Sequence, residues 1–385
     1  MPATTPERRK LGDVAAAAGL RRMHVLAWRD LDDVEAGGSE VHAAEIASRW
    51  AAAGLDVVMR TSHAQGHLTE IQRDGYRVIR RRGRHLVFLD APLQELCGVG
   101  GRRDGLLEVW NGLPFFAPLW ARGPRATFIH HVHADMWRQV MSPGLARLGE
   151  LLELRIAPPI YRRSTILTPS PSSRQQIIER LGLPADRVTA VANGIDARFS
   201  PGGRRSPNPT VLAVGRLVPH KRLEWLIQAA HAIRSRVPDL ELLVVGDGYE
   251  RRSLEHLVHQ LQADAFVRFE GRISDDDLVA RYRSAWLVAS ASSDEGWGMT
   301  ITEAAACATP SVATRIAGHV DVIDSGRTGL LADGRDELTA AIERVLVDPA
   351  LRERLGAGAF DRARGLTWDQ TALEVLQAVA GRCGP

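Results

Sequence analysis

From Met23 onward, short apolar runs alternate with amphipathic stretches, and this alternation stops once and then starts again. Met23-His24-Val25-Leu26-Ala27-Trp28 is a mostly apolar run, the pattern of a strand covered on both faces. Ser39 then reads as the cap of a helix in which Val41, Ala44, Ala47 and Trp50 recur at helical spacing, with Gly54 ending it. Further strands are expected at 56–59, 76–80, 106–110, 126–130, 165–167 and 187–191. Strands separated by helices in this way build a parallel sheet with helices on both faces.

The break is Ser200-Pro201-Gly202-Gly203-Arg204-Arg205-Ser206-Pro207-Asn208-Pro209, whose composition is that of a linker. Beyond it the pattern resumes, with strands expected at 210–214, 241–245, 267–270, 286–289 and 311–313. The fold class is therefore α/β, with two doubly wound Rossmann-like domains, and the 385 residues are enough for both. The expected division is an extension over 1–22, a first domain over 23–200, a linker over 201–209 and a second domain over 210–366. In open sheets of this kind ligands sit at the carboxyl ends of the strands, so two such domains are expected to face each other across a cleft.

Composition narrows the class. The chain is 45% hydrophobic and 25% charged, and no apolar run approaches the ~18 residues of a membrane span. Cys97, Cys307 and Cys383 are far apart and form no CxxC pair, which argues against a zinc site or a disulfide framework and for a reduced, cytoplasmic setting. The net charge of +3 hides an asymmetry: basic residues exceed acidic ones over the first 200 positions, and the reverse holds beyond them. Arg80, Arg81, Arg82, Arg84, Arg102 and Arg103 contribute to the excess. Such a half suits peripheral contact with an anionic inner-membrane face, and the plainer reading is a set of solvated arginines. No nucleic-acid partner is expected. Residues 1–22 imitate a signal peptide, but Asp13 interrupts the Ala-rich part and Arg21 and Arg22 stand where cleavage would fall. They are expected to be dispensable for folding.

Chemistry gathers at strand ends. The strand ending at Val214 runs into Gly215-Arg216-Leu217-Val218-Pro219-His220-Lys221, where two cations at the mouth of a sheet suit a pyrophosphate. The run from Ser292 to Glu303 places Gly296 and Gly298 before a helix that opens near Met299 and Thr300, a seat for phosphate. Glu295 and Glu303 would repel that phosphate if they faced it, and they suit hydroxyl groups on either side. The plain alternative, two solvated glutamates, fits Glu303 poorly within Ile301-Thr302-Glu303-Ala304-Ala305-Ala306. Gly246-Asp247-Gly248-Tyr249-Glu250-Arg251 imitates a dinucleotide fingerprint, but its third glycine is replaced by Arg251. Phe128-Ile129-His130-His131-Val132-His133 ends a first-domain strand; alternation puts His131 and His133 on one face, which is thin evidence for a metal.

The paired Glu295 and Glu303 resemble the glutamate motif of retaining glycosyltransferases of the GT-B fold, family 4 in particular. The resemblance runs from Met23 to about Ala380 and includes Val214-Gly215-Arg216-Leu217, Val245-Gly246-Asp247-Gly248, Phe269-Glu270-Gly271-Arg272-Ile273, Gly326-Arg327-Thr328-Gly329-Leu330-Leu331 and Asn193-Gly194-Ile195-Asp196. It departs at Ala308, where many members have glycine, and at Gly318-His319-Val320-Asp321.

The resemblance implies that Arg216 and Lys221 hold a diphosphate and Glu303 the ribose. Glu295 and the amides of Gly298, Met299 and Thr300 would hold sugar and phosphate, and the backbone near Ile273 the base. In the first domain it implies that Gly38 lets the loop approach the phosphate and acceptor, and that His133 contacts the transferred sugar, with His131 in reserve. It also implies a helix over 367–385 that returns to the first domain. The expected reaction is retaining transfer of a hexose from a UDP- or GDP-sugar to a glycan, lipid or small molecule. Departing diphosphate would help to take the acceptor proton, with no metal or other cofactor required. The rivals are a nucleotide-sugar epimerase of the same architecture and a non-catalytic nucleotide-sugar binding protein.

Overall fold

The computed structural model describes residues 6–140 and 142–381. The chain divides into two compact units, one formed by 1–194 with 367–385 and the other by 195–366.

Unit 1 is built on one sheet of eight strands: β1 (Arg22–Leu26), β2 (Asp56–Thr61), β3 (Glu70–Arg73), β4 (Tyr76–Arg80), β5 (Gly105–Trp110), β6 (Arg125–Ile129), β7 (Ile166–Thr168) and β8 (Val188–Ala190). Their order is β3-β4-β2-β1-β5-β6-β7-β8, and only the β3–β4 pair is antiparallel. β1 lies in the middle, with Val25 opposite Met59 on one side and Leu107 on the other, which is why its run carries little polarity. β3 is an edge strand absent from the sequence reading. Its Glu70 is exposed, and it turns into β4 through Asp74 and Gly75, both at positive φ (45° and 86°) as a tight hairpin demands.

Two expectations about unit 1 are corrected. The helix after β1 spans Gly38–Ala52 and is capped by Gly37, two residues before Ser39. The Gly37 N–H donates to Glu40 Oε2 at 2.8 Å, while Ser39 Oγ donates to the same oxygen at 2.9 Å and accepts from Asn111 Nδ2 at 3.1 Å. A carboxylate at the third helical position satisfies the first amide better than the serine can. The amino-terminal segment is no loose extension either. A helix over Pro6–Ala18 buries Leu11 and Ala15, one turn apart, in the main core of unit 1 beside Met23, Trp50 and Leu376.

The C-terminal helix, Trp368–Val379, supplies another wall of that core through Leu373, Val375, Leu376 and Val379. Thr367 caps it, accepting from Gln370 N at 3.2 Å, and Trp50 Nε1 donates to Ala372 O at 3.0 Å. The amino-terminal helix packs against it.

Unit 2 holds six parallel strands: β9 (Thr210–Val214), β10 (Glu241–Val245), β11 (Val267–Gly271), β12 (Leu287–Ser290), β13 (Ser311–Thr314) and β14 (Gly329–Ala332). The order β11-β10-β9-β12-β13-β14 reverses direction between β9 and β12, and such a switch point opens a crevice at the carboxyl ends of those two strands. The stretch expected as a linker, 201–209, lies inside this unit. Arg205 reaches Thr309 Oγ1 and Ala308 O, both at 2.6 Å, and Trp286 Nε1 donates to Ser206 O at 2.8 Å. Among the described residues no helix is long and apolar enough to cross a membrane.

Candidate active site

The loops after β9 and β12 meet at the switch point of unit 2. Ser293 N donates to His220 O at 2.7 Å, stitching the two loops together. The β9 loop is itself held from the other side: Gly215 N donates to Val245 O and Leu217 N to Asp247 O, each at 3.0 Å. A Cβ on Gly246 would collide with the Gly215 carbonyl oxygen, and one on Gly248 with that of Leu217. The dinucleotide-like glycines therefore serve to seat the β10 loop against the segment that carries Arg216.

On this frame Lys221 and Glu295 come together as an ion pair between Nζ and Oε1, their side chains 18% and 19% exposed. Ser292 Oγ adds a hydrogen bond to Oε1 at 2.9 Å. Burial pushes the Glu295 carboxyl up, but Lys221, His319 and Ser292 together outweigh it and bring the group down to about 2. It is ionised at any working pH. Beneath the loop, buried His319 shares its Nδ1 proton with Thr314 O at 2.8 Å, and burial lowers its basicity. Gly318 is at φ 80°, where a Cβ would stand 2.6 Å from Glu295 O. The unusual Gly318-His319 pair thus braces the glutamate loop.

The helix Met299–Ala306 starts directly after this loop, with Gly298 at φ 101°. Its first turn presents the Met299 and Thr300 amides where an anion would be favoured. Glu303, on the same helix, faces a different neighbour: Tyr282 Oη donates to its Oε2 at 2.7 Å. Burial, aided by the acidic Asp275 and Asp196 and opposed by that hydrogen bond, raises its pKa to about 7. The two glutamates are thus held in opposite states, one paired with a cation and one poised near neutrality. Ile273, after β11, is partly buried against the core that includes Tyr282.

Gly38 and His133 belong to unit 1. Gly38 opens the helix after β1, beside Glu40, which also accepts from Arg29 Nε at 3.2 Å. β6 ends at Ile129, so strand alternation does not govern the histidines; even so, the rings of His131 and His133 stack with centroids 4.3 Å apart. His130 turns inward, packing edge-on against buried His42 at 4.8 Å.

The His133 loop is held by a residue the sequence reading missed. Glu153, fully buried on a π-helical turn (Leu152–Ile156), accepts from His133 N, Ala134 N and Trp137 Nε1, each at 2.8 Å. The Trp137 ring lies against Gly149, where a Cβ would stand 2.6 Å away. π-turns interrupt helices frequently at functional sites, but no local motif announces one.

Two family descriptions match the chain. Residues 36–199 match "Glycosyltransferase Family 4" and residues 195–362 match "Glycosyl transferases group 1". A D-inositol 3-phosphate glycosyltransferase from Salinispora arenicola is 36% identical over 54% of this chain and 53% of its own length. The chain thus aligns with about half the length of the first curated relatives it matches. One of the same name from Acidothermus cellulolyticus is 29% identical over 97% of this chain and 94% of its own. Among solved structures, a sucrose-phosphate synthase from Thermosynechococcus elongatus superposes with a TM-score of 0.79 at 22% identity, covering 93% of this chain and 98% of that one. HepE of Anabaena, in complex with UDP and glucose, superposes with a TM-score of 0.73 at 18% identity, covering 94% and 100%. Both share the fold.

Proposed function

Because the chain belongs to glycosyltransferase family 4, we propose that it is a retaining hexosyltransferase using a UDP-hexose donor and a small phosphorylated polyol as acceptor. The observation that carries this reading is the Lys221–Glu295 pair beside the opening of the Met299–Ala306 helix, at the switch point of a doubly wound sheet. HepE, whose structure holds UDP and glucose, supports the donor, and the names of the curated relatives support the acceptor. GDP-sugars are the second choice of donor.

In this reading Arg216 and Lys221 take the diphosphate together with the amides of Gly298, Met299 and Thr300. Lys221 must then exchange Glu295 for phosphate, and the released carboxylate accepts hydrogen bonds from the sugar hydroxyls. Glu303 accepts from the ribose hydroxyls, and backbone near Ile273 meets the base. In unit 1, His133 is assigned to the transferred sugar and Gly38 to close approach of the backbone. The bond between the anomeric carbon and the diphosphate oxygen breaks while the acceptor hydroxyl attacks the same face. The acceptor proton leaves on the departing diphosphate. Charge grows on that diphosphate in the transition state, and Arg216, Lys221 and the helix end act on it there.

The test is calorimetric affinity for free UDP beside turnover. Glu303→Ala should weaken UDP binding by roughly ten- to a hundredfold, the worth of a charge-assisted hydrogen bond. Glu295→Ala should leave UDP affinity equal or improved, since it frees Lys221, while turnover falls. Equal loss of UDP affinity in both variants would overturn these roles. Release of free nucleotide from the native protein without acceptor would favour the epimerase instead.

A further inference from the structure

We propose that an outer face of unit 1 docks onto an anionic bilayer surface. The helix Val87–Leu96 buries Val87, Ala91 and Glu95 and turns leucine toward solvent: Leu86, Leu89, Leu93 and Leu96 are 57%, 66%, 60% and 62% exposed. Spacings of three and four put these four on one stripe. A helix at a water-facing surface carries charge there, so this one is built the wrong way round for water. The feature continues through neighbouring elements. The short helix Ala117–Trp120, which packs against Val87–Leu96, carries Leu119 at 68% exposure, and it also packs against Ala157–Tyr161. Just before that segment, Leu145, Leu148, Leu151 and Ile156 are exposed by 41% or more. Scattered exposed leucines need no account, but a face built from successive elements does.

Charge names the occupant. Arg81, Arg102, Arg122, Arg147 and Arg155 are all exposed in this stretch, and Arg82, also exposed, is paired with Asp90. Of the acids whose side chains are described there, only Asp104 is exposed. Asp90 pairs with Arg82 and Glu150 with Arg138, while Asp104 accepts from the Arg21 and Arg22 amides. Glu95, Glu108 and Glu153 are buried. A second copy of this face would bring like charge against like charge. An anionic lipid surface offers the opposite charge to the arginines and an acyl boundary to the leucines. With no membrane-crossing helix among the described residues, the contact is peripheral. The inference is independent of the transfer reading, since none of these residues belongs to the proposed site.

The full chain is sedimented with vesicles of phosphatidylcholine alone and of phosphatidylcholine with phosphatidylglycerol, at low and high salt. Binding to the anionic vesicles only, weakened by salt, is expected. The surface variant Leu89→Gln/Leu93→Gln should lose at least about tenfold in partitioning, because each change removes an inserted leucine. Leu148→Gln/Leu151→Gln and Arg81→Gln/Arg102→Gln should each weaken binding, with thermal unfolding unchanged. Native protein left in the supernatant with anionic vesicles would overturn the proposal, as would equal binding to neutral ones or undiminished binding by the leucine variants. A dimer in solution that the leucine changes convert to monomer would also overturn it, in favour of a second copy as the occupant.

Discussion

Glu303 keeps a proton near neutrality because it is half-buried and desolvated beside Tyr282, with two further carboxylates, Asp275 and Asp196, acting on it. Its pKa stands at about 7 against a usual 4.5, so the folded state favours the neutral acid. The sign follows: this group's contribution to stability is complete below the usual value and is lost as pH rises through about 7. Ribose hydroxyls donating to the carboxylate favour the charged form instead. UDP binding below neutrality should therefore expel a proton, and affinity should rise with pH up to about 7. Calorimetry in two buffers of different ionisation enthalpy measures the released proton directly. Unchanged heat in the two buffers at about pH 6 would count against the ribose role. Glu295 gives no such signal, since its pairing with Lys221 holds it at about 2.

The π-turn Leu152–Ile156 is the element on which the His133 loop depends. Glu153→Ala would leave three donors without their acceptor, and the cost should reach about 3 kcal/mol or more, read as a lower urea midpoint. Glu153→Gln, which keeps one carbonyl oxygen, should recover part of it. Nothing in the local sequence marks this turn, because its reason lies in Trp137 and the backbone of a distant loop. The parallel strands were legible for the opposite reason: β1 and β5 are covered on both faces, so most of their own residues are apolar. β3, polar and on the edge, escaped notice, although Asp74-Gly75 is a recognisable hairpin turn. β14 escaped too, its Gly329-Leu330-Leu331 noticed as a landmark rather than as a strand. At the site, Lys221, Glu295 and Gly298 could be found because strand ends are where ligands bind. Tyr282 and His319, which set the state of the two glutamates, come from other elements, and only folding brings them near. Ala308 has a plainer account: it sits at φ 57°, the backbone region that favours the glycine of other members.

Taken as a whole molecule, the chain makes unit 1 from two separated stretches and unit 2 from one. Removing residues 1–18 takes Leu11 and Ala15 out of the unit 1 core and bares part of the C-terminal helix. The expected loss is about 3 kcal/mol, seen as a lower melting temperature. UDP affinity should persist, because the proposed diphosphate and ribose contacts lie in unit 2. An unchanged melting temperature would show that the amino-terminal helix contributes nothing to the core. The same discontinuity has a consequence for the order of events on the ribosome. Unit 2 is complete once Leu366 has emerged, although it is translated second. Unit 1, begun first, waits with Trp50 and Met23 uncovered until Leu373, Leu376 and Val379 leave the exit tunnel. The unit that precedes the other along the chain is therefore the last to finish folding, and its unfinished core is the surface a nascent-chain chaperone would meet.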